Sequence, residues 1–378
     1  MTALDDELIR QDCDAYVVYD SSENSDMRYL SGFHAKDPFI YVRKRTGEQY
    51  LIVSSMEELR ARREAKCNVL TRTSAGFPEL YETYKNADIA TAHMLKNLNG
   101  GTFLVPYSMP VGFANALSSV AKIKVDVNTV LSMRAVKTED EIEKIRDVQR
   151  KNEEGVHLAV DAIKNADVDE NGMLVLDGEP LTSERVRRII HERFYTLGLT
   201  DADTIVSCGT DTALPHVRGK GQLMAHQPIV MDVFPRDVTT GYYADMTRTI
   251  SKGKPSDEII RMYDAVHEAK KLAVSLIHTG VSGADIHNAV ADFFTKKNYE
   301  TASSSGFIHS LGHGVGLAIH EAPSLSIHGE TLVSGNVVTI EPGLYYPGVG
   351  GIRLEDMGVV TDDGFDGFMT FEEQLIVA

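Results

Sequence analysis

Residues 309–356 hold a set of side chains whose types and spacing could do chemistry. The set consists of three of its histidines and two of its glutamates: His309, His313, His320, Glu341 and Glu355. Glu341 follows the run Val337–Ile340, which has the composition of a buried strand, and a Pro-Gly turn signal comes directly after it. An ionised carboxylate is costly to bury unless it is paired or coordinates a metal. Two such glutamates beside a glycine-flanked histidine therefore predict a metal site.

A second stretch upstream has the same character. An apolar run ends at Asp232, and Asp245 lies further along in a segment rich in aromatic and β-branched residues. Because strand side chains alternate between two faces, Asp245 should share a face with Thr247. The same period makes Arg353 and Glu355 point the same way, which places a guanidinium next to a carboxylate.

Four carboxylates and one imidazole make up the candidate ligand set: Asp232, Asp245, His313, Glu341 and Glu355. Such an oxygen-rich set suits hard or borderline divalent ions. One ion would not offset four negative charges comfortably, so we expect two ions, bridged by shared carboxylates and roughly 3.5–4 Å apart. A hydroxide shared by two such ions is a nucleophile at neutral pH.

With these residues the chain resembles the pita-bread metallopeptidases, a family that includes methionine aminopeptidase, aminopeptidase P and prolidase, with creatinase as a metal-free relative. The resemblance is strong over residues 138–378 and weaker at residues 27–33. It implies the same five metal ligands and two divalent ions. Manganese is the expected metal, and cobalt, iron and zinc also suit these ligands.

The resemblance also implies roles for residues around the metals. It assigns substrate binding and catalysis to His216, His309 and His320, and Glu341 is expected to move the proton in addition to its ligand role. Arg353 should orient a ligand carboxylate, as metal ligands usually require, and Tyr242 or Tyr243 is expected to do likewise. The basic pair after His216, Arg218 and Lys220, is expected to be solvated turn charge.

The spacing of the two aspartates departs from the family pattern. Asp232 and Asp245 are thirteen positions apart, whereas most members have them closer together. The extra residues fall within 235–240, so Asp237 competes for the first ligand role. We expect Asp232 to be the ligand, because Asp237 lies in the turn rather than at a strand end.

The length and the alternation of strands and helices predict two domains. A chain of 378 residues is too long for one typical core. We expect an α/β (α+β) protein with a small creatinase-like α/β domain over residues 1–130 and a catalytic pita-bread domain over residues 131–378. The capping box Thr138–Glu141 should open the first helix of the second domain. A short hairpin is expected near residues 172–182, with no function assigned.

Composition excludes several classes of partner. The net charge of −17 argues against nucleic-acid binding, which needs basic surface for the phosphates. No apolar window is long enough to span a membrane, and the N-terminus lacks the pattern of a signal peptide. Three cysteines without metal spacing indicate free thiols in a reducing compartment. We therefore expect a cytoplasmic protein, and we also expect it to be a homodimer.

The N-terminal 130 residues indicate the proline-specific branch of the family. Several dipeptidases of that branch hold the free carboxylate of the dipeptide with an arginine a few positions after the third histidine, and here that position is Ser324. The missing arginine favours longer substrates, although His328 or Lys220 could replace it. We therefore predict an Xaa-Pro aminopeptidase, whose substrate is a peptide with proline in second position, with an Xaa-Pro dipeptidase (prolidase) as the alternative. A metal-free creatinase-like hydrolase and a non-catalytic binding module are remoter, because neither has reason to retain all five ligands.

Overall fold

The structure is a computed structural model that describes residues 2–201 and 203–378. It divides the chain into two compact units, the first ending at Arg134 and the second beginning at Ala135. The boundary predicted at 130/131 falls inside the helix Thr129–Ala135, which continues without interruption through those residues.

The first unit is built on one mixed six-stranded sheet. Its strands are β1 (Ala15–Asp20), β2 (Phe39–Lys44), β3 (Gln49–Val53), β4 (Asn68–Thr71), β5 (Thr102–Pro106) and β6 (Lys122–Asp126). Their order in the sheet is β4-β3-β2-β1-β5-β6. The central pairs β1–β2 and β2–β3 are antiparallel, and the outer strands β4, β5 and β6 join in parallel.

Helices cover both faces of this sheet. They are α1 (Ala3–Arg10), α2 (Ser25–Ser31), α3 (Glu58–Glu64), α4 (Phe77–Tyr84), α5 (Ala87–Asn99), α6 (Val111–Ser118) and α7 (Thr129–Ala135). Alternate residues of β1 enter different apolar cores: Tyr16 and Val18 pack with α1, α2 and α3, whereas Ala15 and Val17 pack with α5 and α6. Because both faces are buried at the centre of the sheet, β1, β2, β3 and β5 contain nearly continuous apolar runs.

The second unit begins with a long amphipathic helix. Its helices in the described residues are α8 (Glu139–Lys164), α9 (Ser183–Thr196), α10 (Asp257–Leu276) and α11 (Gly283–Lys296), and a 3₁₀ helix spans Gly209–Ala213. The predicted capping box is present: the Thr138 hydroxyl accepts a hydrogen bond from the Glu141 N–H, and the Glu141 carboxylate accepts one from the Thr138 N–H. Ile142, Ile145 and Val148 form part of the buried stripe of α8, as their spacing predicts.

The strands of the second unit form several small sheets. They are β7 (Asp167–Val168), β8 (Leu174–Leu176), β9 (Glu179–Pro180), β10 (Leu199–Thr200), β11 (Ile205–Cys208), β12 (Ile229–Val233), β13 (Arg236–Asp237), β14 (Met246–Lys252), β15 (Gly312–Gly314), β16 (Glu321–Leu325), β17 (Val337–Ile340), β18 (Gly343–Tyr346), β19 (Gly350–Arg353), β20 (Asp356–Val360), β21 (Phe365–Gly367) and β22 (Ile376–Val377). Two sheets carry most of the candidate residues, with orders β11-β12-β14-β22 and β16-β15-β17-β20-β21. The hairpin expected near 172–182 belongs to the three-stranded sheet β7-β8-β9.

An apolar core supports these sheets from one side. Helices α10 and α11 contribute Val266, Ala269 and Val290, which pack with Val338 and Ile340 of β17. Because β17 is buried in this core, its position is fixed, and so is the position of Glu341, which directly follows it. No helix in the described part of the chain is both long and apolar enough to cross a membrane.

Candidate active site

Two antiparallel strands bring the aspartates together. Asp232 is the penultimate residue of β12, and Asp245 immediately precedes β14. In the β12–β14 pair Asp232 lies opposite Thr247, so both aspartates lie at the same end of the hairpin. The turn between the strands absorbs the additional residues, which is why the longer spacing still permits this placement.

The other candidate ligands come from the second sheet and the hairpin beside it. His313 is the middle residue of β15, Glu341 directly follows β17, and Glu355 lies between β19 and β20. The glycines that flank His313 have a steric cause. A Cβ atom at Gly312 would lie 2.1 Å from the carbonyl oxygen of Thr339, and one at Gly314 would lie 2.3 Å from that of Ala322.

The structure brings the five predicted ligands to one cavity. His313 Nε2 lies 3.3 Å from Glu341 Oε1 and 3.6 Å from Asp245 Oδ2. Ligand atoms of Asp245, His313 and Glu355 all lie within 4.8 Å of one another. His313 Nδ1 lies 3.1 Å from the carbonyl oxygen of Gly314, to which it donates, so Nε2 points at the carboxylates. In the metal-free protein Nε2 donates to Glu341, and loss of that proton leaves the lone pair that metal coordination requires.

The carboxylates Asp232, Asp245, Glu341 and Glu355, here called the acidic cluster, do not ionise independently. Burial, together with the negative charge of neighbouring carboxylates, raises the pKa of Asp245 and of Glu355 well above their usual values. Burial also raises the pKa of Asp232. Burial opposes the ionisation of Glu341, but the hydrogen bond and positive charge of His313, together with the charge of Arg353 and other neighbours, outweigh it and lower the pKa of Glu341 to about 2. Buried carboxylates that lie this close together resist ionisation because their negative charges repel one another. A divalent cation would offset that repulsion, so this set of oxygen ligands suits divalent cations.

Arg353 connects two of these carboxylates through a buried hydrogen-bond network. Its Nη2 donates to Asp232 Oδ2 at 2.6 Å, and its Nε donates to the Thr247 hydroxyl at 3.1 Å. That hydroxyl donates to Glu355 Oε2 at 2.8 Å. The contacts fit the orienting role predicted for Arg353.

Tyr345 is a further residue of this network that was not predicted from the sequence. Its hydroxyl accepts from Arg353 Nη1 at 2.8 Å and donates to His309 Nε2 at 3.0 Å, and its side chain is fully buried. The two tyrosines expected in this role contact other groups: Tyr242 donates to Glu141 at 2.8 Å, and the Tyr243 ring packs against the Arg236 guanidinium. The available sequence signal was strand alternation: Tyr345 lies two residues after Gly343 in β18, so both residues are on the same face of that strand.

The cavity has a volume of about 650 Å³ and both polar and apolar walls. The three predicted histidines, His216, His309 and His320, all line it. The His320 ring meets the His313 ring edge to face, with centroids 4.3 Å apart. Burial lowers the pKa of His309 and of His320, so both are neutral near pH 7. Ile205, Pro215, Phe234 and Ile319 supply an apolar wall on which an apolar substrate group can pack.

Asp237 and Ser324 are not among the described residues that line the cavity. Asp237 Oδ1 accepts hydrogen bonds from the Thr239 N–H at 3.0 Å and the Thr240 N–H at 2.7 Å, and so holds the turn together. Ser324 lies opposite His313 in the β15–β16 pair, but it is not among the described residues of the wall.

Of the basic residues considered near the site, the structure places Arg218 on the cavity wall. Arg218 is 51% exposed, as expected for turn charge, but the sequence around His216 does not show that the turn faces the cavity. Lys220 and His328 are exposed and are not among the described residues of the wall.

A buried ion pair fixes the segment that ends at His320. Lys137 Nζ lies 2.8 Å from Glu321 Oε1, and each side chain is 1% exposed. Glu321 Oε2 also accepts a hydrogen bond from the Ala318 N–H at 3.2 Å. The residue after His320 is therefore tied to the segment before helix α8.

The fold and the site together define a metallopeptidase-type hydrolase, and comparisons with known proteins agree. Residues 143–362 match the metallopeptidase family M24, and residues 1–148 match the creatinase/prolidase N-terminal domain. The chain belongs to the M24 metallopeptidase family. The predicted fold class and the resemblance to the pita-bread metallopeptidases are thereby confirmed, and the protein is a peptidase of a family that uses divalent metals.

Individual relatives share nearly the whole length of the chain. An Xaa-Pro dipeptidase from Pyrococcus furiosus is 30% identical over 336 residues, which cover 87% of this chain and 86% of the relative. The solved structure of a prolidase from Pyrococcus furiosus has a TM-score of 0.82 and 25% identity, covering 98% of this chain and all of that one. An X-Pro aminopeptidase from Thermotoga maritima has a TM-score of 0.78 and 25% identity, covering 97% and 98%.

Proposed function

We propose that this protein is a divalent-metal-dependent Xaa-Pro dipeptidase that releases an N-terminal residue and free proline. The observation that carries the proposal is the convergence of the acidic cluster, His313 and three further histidines on one cavity with an apolar wall. A relative named Xaa-Pro dipeptidase, aligned over 87% of the chain, supports the choice of substrate.

The residues proposed to hold two divalent ions are the five predicted ligands, Asp232, Asp245, His313, Glu341 and Glu355. The donor set is rich in oxygen and suits manganese, with cobalt, iron and zinc as further candidates. Ions bound there would lower the pKa of a water molecule and polarise the scissile carbonyl. Glu341 is ionised and lies on the cavity wall, and we propose that it moves the proton in addition to its ligand role.

The histidines are proposed to act on the substrate. Because His309 and His320 are neutral, each can donate one hydrogen bond from its ring without adding charge to the cavity. His309 Nδ1, however, donates to the carbonyl oxygen of Ser310 and its Nε2 accepts from Tyr345. This leaves His320 and His216, both exposed at the cavity, to bind the substrate carbonyl and stabilise the developing oxyanion. His309 would then shape the wall and hold Tyr345.

The dipeptidase proposal replaces the aminopeptidase predicted from Ser324. That prediction relied on a missing arginine at a position that is not among the described residues of the cavity wall. The comparisons favour the dipeptidase alternative, since the relatives aligned over most of this chain include an Xaa-Pro dipeptidase. The fold does not separate the two activities, because a prolidase and an X-Pro aminopeptidase match with TM-scores of 0.82 and 0.78.

Hydrolysis assays with a small panel of peptides test the proposal. Metal-free protein is loaded in turn with manganese, cobalt, iron or zinc, and Ala-Pro, Ala-Pro-Ala and Ala-Ala are compared. We expect Ala-Pro to have the highest kcat/KM, by about tenfold or more over Ala-Pro-Ala, and Ala-Ala to be a poor substrate. A clear preference for Ala-Pro-Ala would indicate an aminopeptidase instead. Full activity after removal of all divalent metal would contradict the metal site.

A further inference from the structure

The backbone that carries Arg218 is held rigidly against strand β11. The N–H of Val206 donates to the carbonyl oxygen of Arg218 at 3.0 Å. The Arg187 guanidinium donates to the same oxygen at 2.5 Å and to the carbonyl oxygen of Gly219 at 3.1 Å. Gly219 has φ +74°, and a Cβ atom there would lie 1.8 Å from the carbonyl oxygen of Val206. The Cα position of Arg218 is thus fixed beside the cavity, two residues after His216.

The side chain of Arg218 is not held in the same way. It is 51% exposed, and its Nη1 atom lies 3.7 Å from Oδ1 of Asp203, whose side chain is 71% exposed. An exposed pair at this distance is weak and is screened by salt. The guanidinium can therefore exchange this partner for a carboxylate that enters the cavity.

Other cationic groups on the wall are less suited to this task. Arg353 is the other arginine among the described residues of the wall, and its guanidinium is buried and bonded to Asp232, Tyr345 and Thr247. An arginine also keeps its charge at every working pH and binds a carboxylate with two parallel hydrogen bonds.

We propose that Arg218 binds the free carboxylate of the substrate's proline and so makes the enzyme prefer dipeptides. The proposal rests on the dipeptidase function proposed above. Arg218 would supply the positive charge that position 324 lacks, from the turn after His216 instead of from β16. Longer peptides carry an uncharged peptide bond at the position that Arg218 faces, so they do not gain this interaction.

A pair of substrates that differ only in that charge isolates the contact. Ala-Pro and its carboxamide, Ala-Pro-NH2, have nearly the same shape, and the full-length metal-loaded enzyme is assayed with both. We expect Arg218→Met to lower kcat/KM for Ala-Pro by about tenfold (about 1.4 kcal/mol) or more, mainly through KM, and to change the carboxamide by less than about twofold. Arg218→Lys should recover part of the loss, because a lysine keeps the charge without the fork geometry.

Lys220→Met is the matched control, since Lys220 is an exposed cation two residues further along the same turn. It should leave both substrates unchanged. Equal losses on both substrates in Arg218→Met, or no loss on either, would overturn the role of Arg218 while leaving the dipeptidase proposal intact. If the unmodified enzyme hydrolyses neither substrate with any of the metals, the dipeptidase proposal fails and the role of Arg218 fails with it.

Discussion

The variants Asp232→Asn and Asp237→Asn test which of the two aspartates is a metal ligand. Asp232 is the predicted ligand, and Asp237 is the alternative that the sequence offered. Asp232→Asn keeps an oxygen but removes the charge from a side chain that lines the cavity and pairs with Arg353 at 2.6 Å. Arg353 is only 4% exposed, so its guanidinium would lose a buried ionic partner. Hydrogen bonds to charged groups contribute about 1.5–3 kcal/mol, and we expect the metal-free protein to lose stability of that order.

The loss in metal affinity should be larger. Changes to groups that only orient metal ligands lower affinity by about 10–100-fold, so removing a charged ligand should lower it by at least about 100-fold, or about 2.7 kcal/mol. Asp237→Asn should have almost no effect, because the amide oxygen can accept the same hydrogen bonds from Thr239 and Thr240. The lost interaction is a 3.5 Å ion pair with Lys151, worth less than about 1 kcal/mol.

Two measurements distinguish these effects. Titration of each metal-free variant with manganese in competition with a chelator gives the affinity, and urea denaturation gives the free energy of unfolding. Because the chain contains no tryptophan, unfolding is best followed by far-UV circular dichroism. Severe loss of metal binding in Asp237→Asn, with normal binding in Asp232→Asn, would refute the assignment and shift the ligand into the turn.

Three further predictions concern the surroundings of the site. Lys137→Met should destabilise the protein by about 3–5 kcal/mol in urea denaturation, because it leaves Glu321 buried without its partner; the double variant with Glu321→Gln should recover most of this, and a silent single variant would contradict the burial. Tyr345→Phe should lower manganese affinity by about 10–100-fold through the loss of its bond to Arg353, and an unchanged affinity would exclude a positioning role. Because the pKa of Asp245 is raised in the folded protein, this side chain binds a proton more readily in the metal-free folded state than in the unfolded chain. The stability of the metal-free protein relative to its Asp245→Asn variant should therefore fall as pH rises above about 5, and this comparison cancels histidines such as His309 and His320, whose lowered pKa acts in the opposite direction; a relative stability that rises with pH would refute the interpretation.

Local features of the site could be predicted from the sequence. The strand Val337–Ile340 and the position of Glu341 directly after it follow from a β-branched run and a turn signal, and both depend only on neighbouring residues. Thr247 and Thr249 share a face as the alternation predicts, since their hydroxyls contact Glu355 and the carbonyl oxygen of Arg353 respectively. The residue types of the ligand set, with the resemblance they carry, were enough to indicate the family.

Other features depended on which distant segments meet. Arg353 and Asp232 are 121 positions apart, and their contact is produced by packing between sheets that no local period describes. The hydroxyl of Tyr345 finds Arg353 only because β18 and β19 pair, and the turn that carries Arg218 faces the cavity only because it is bonded to β11. The periodicity of a sequence says which side chains share a face of one strand. The tertiary structure alone decides what that face meets, because the order of strands and the approach of loops are set by the burial of the whole core.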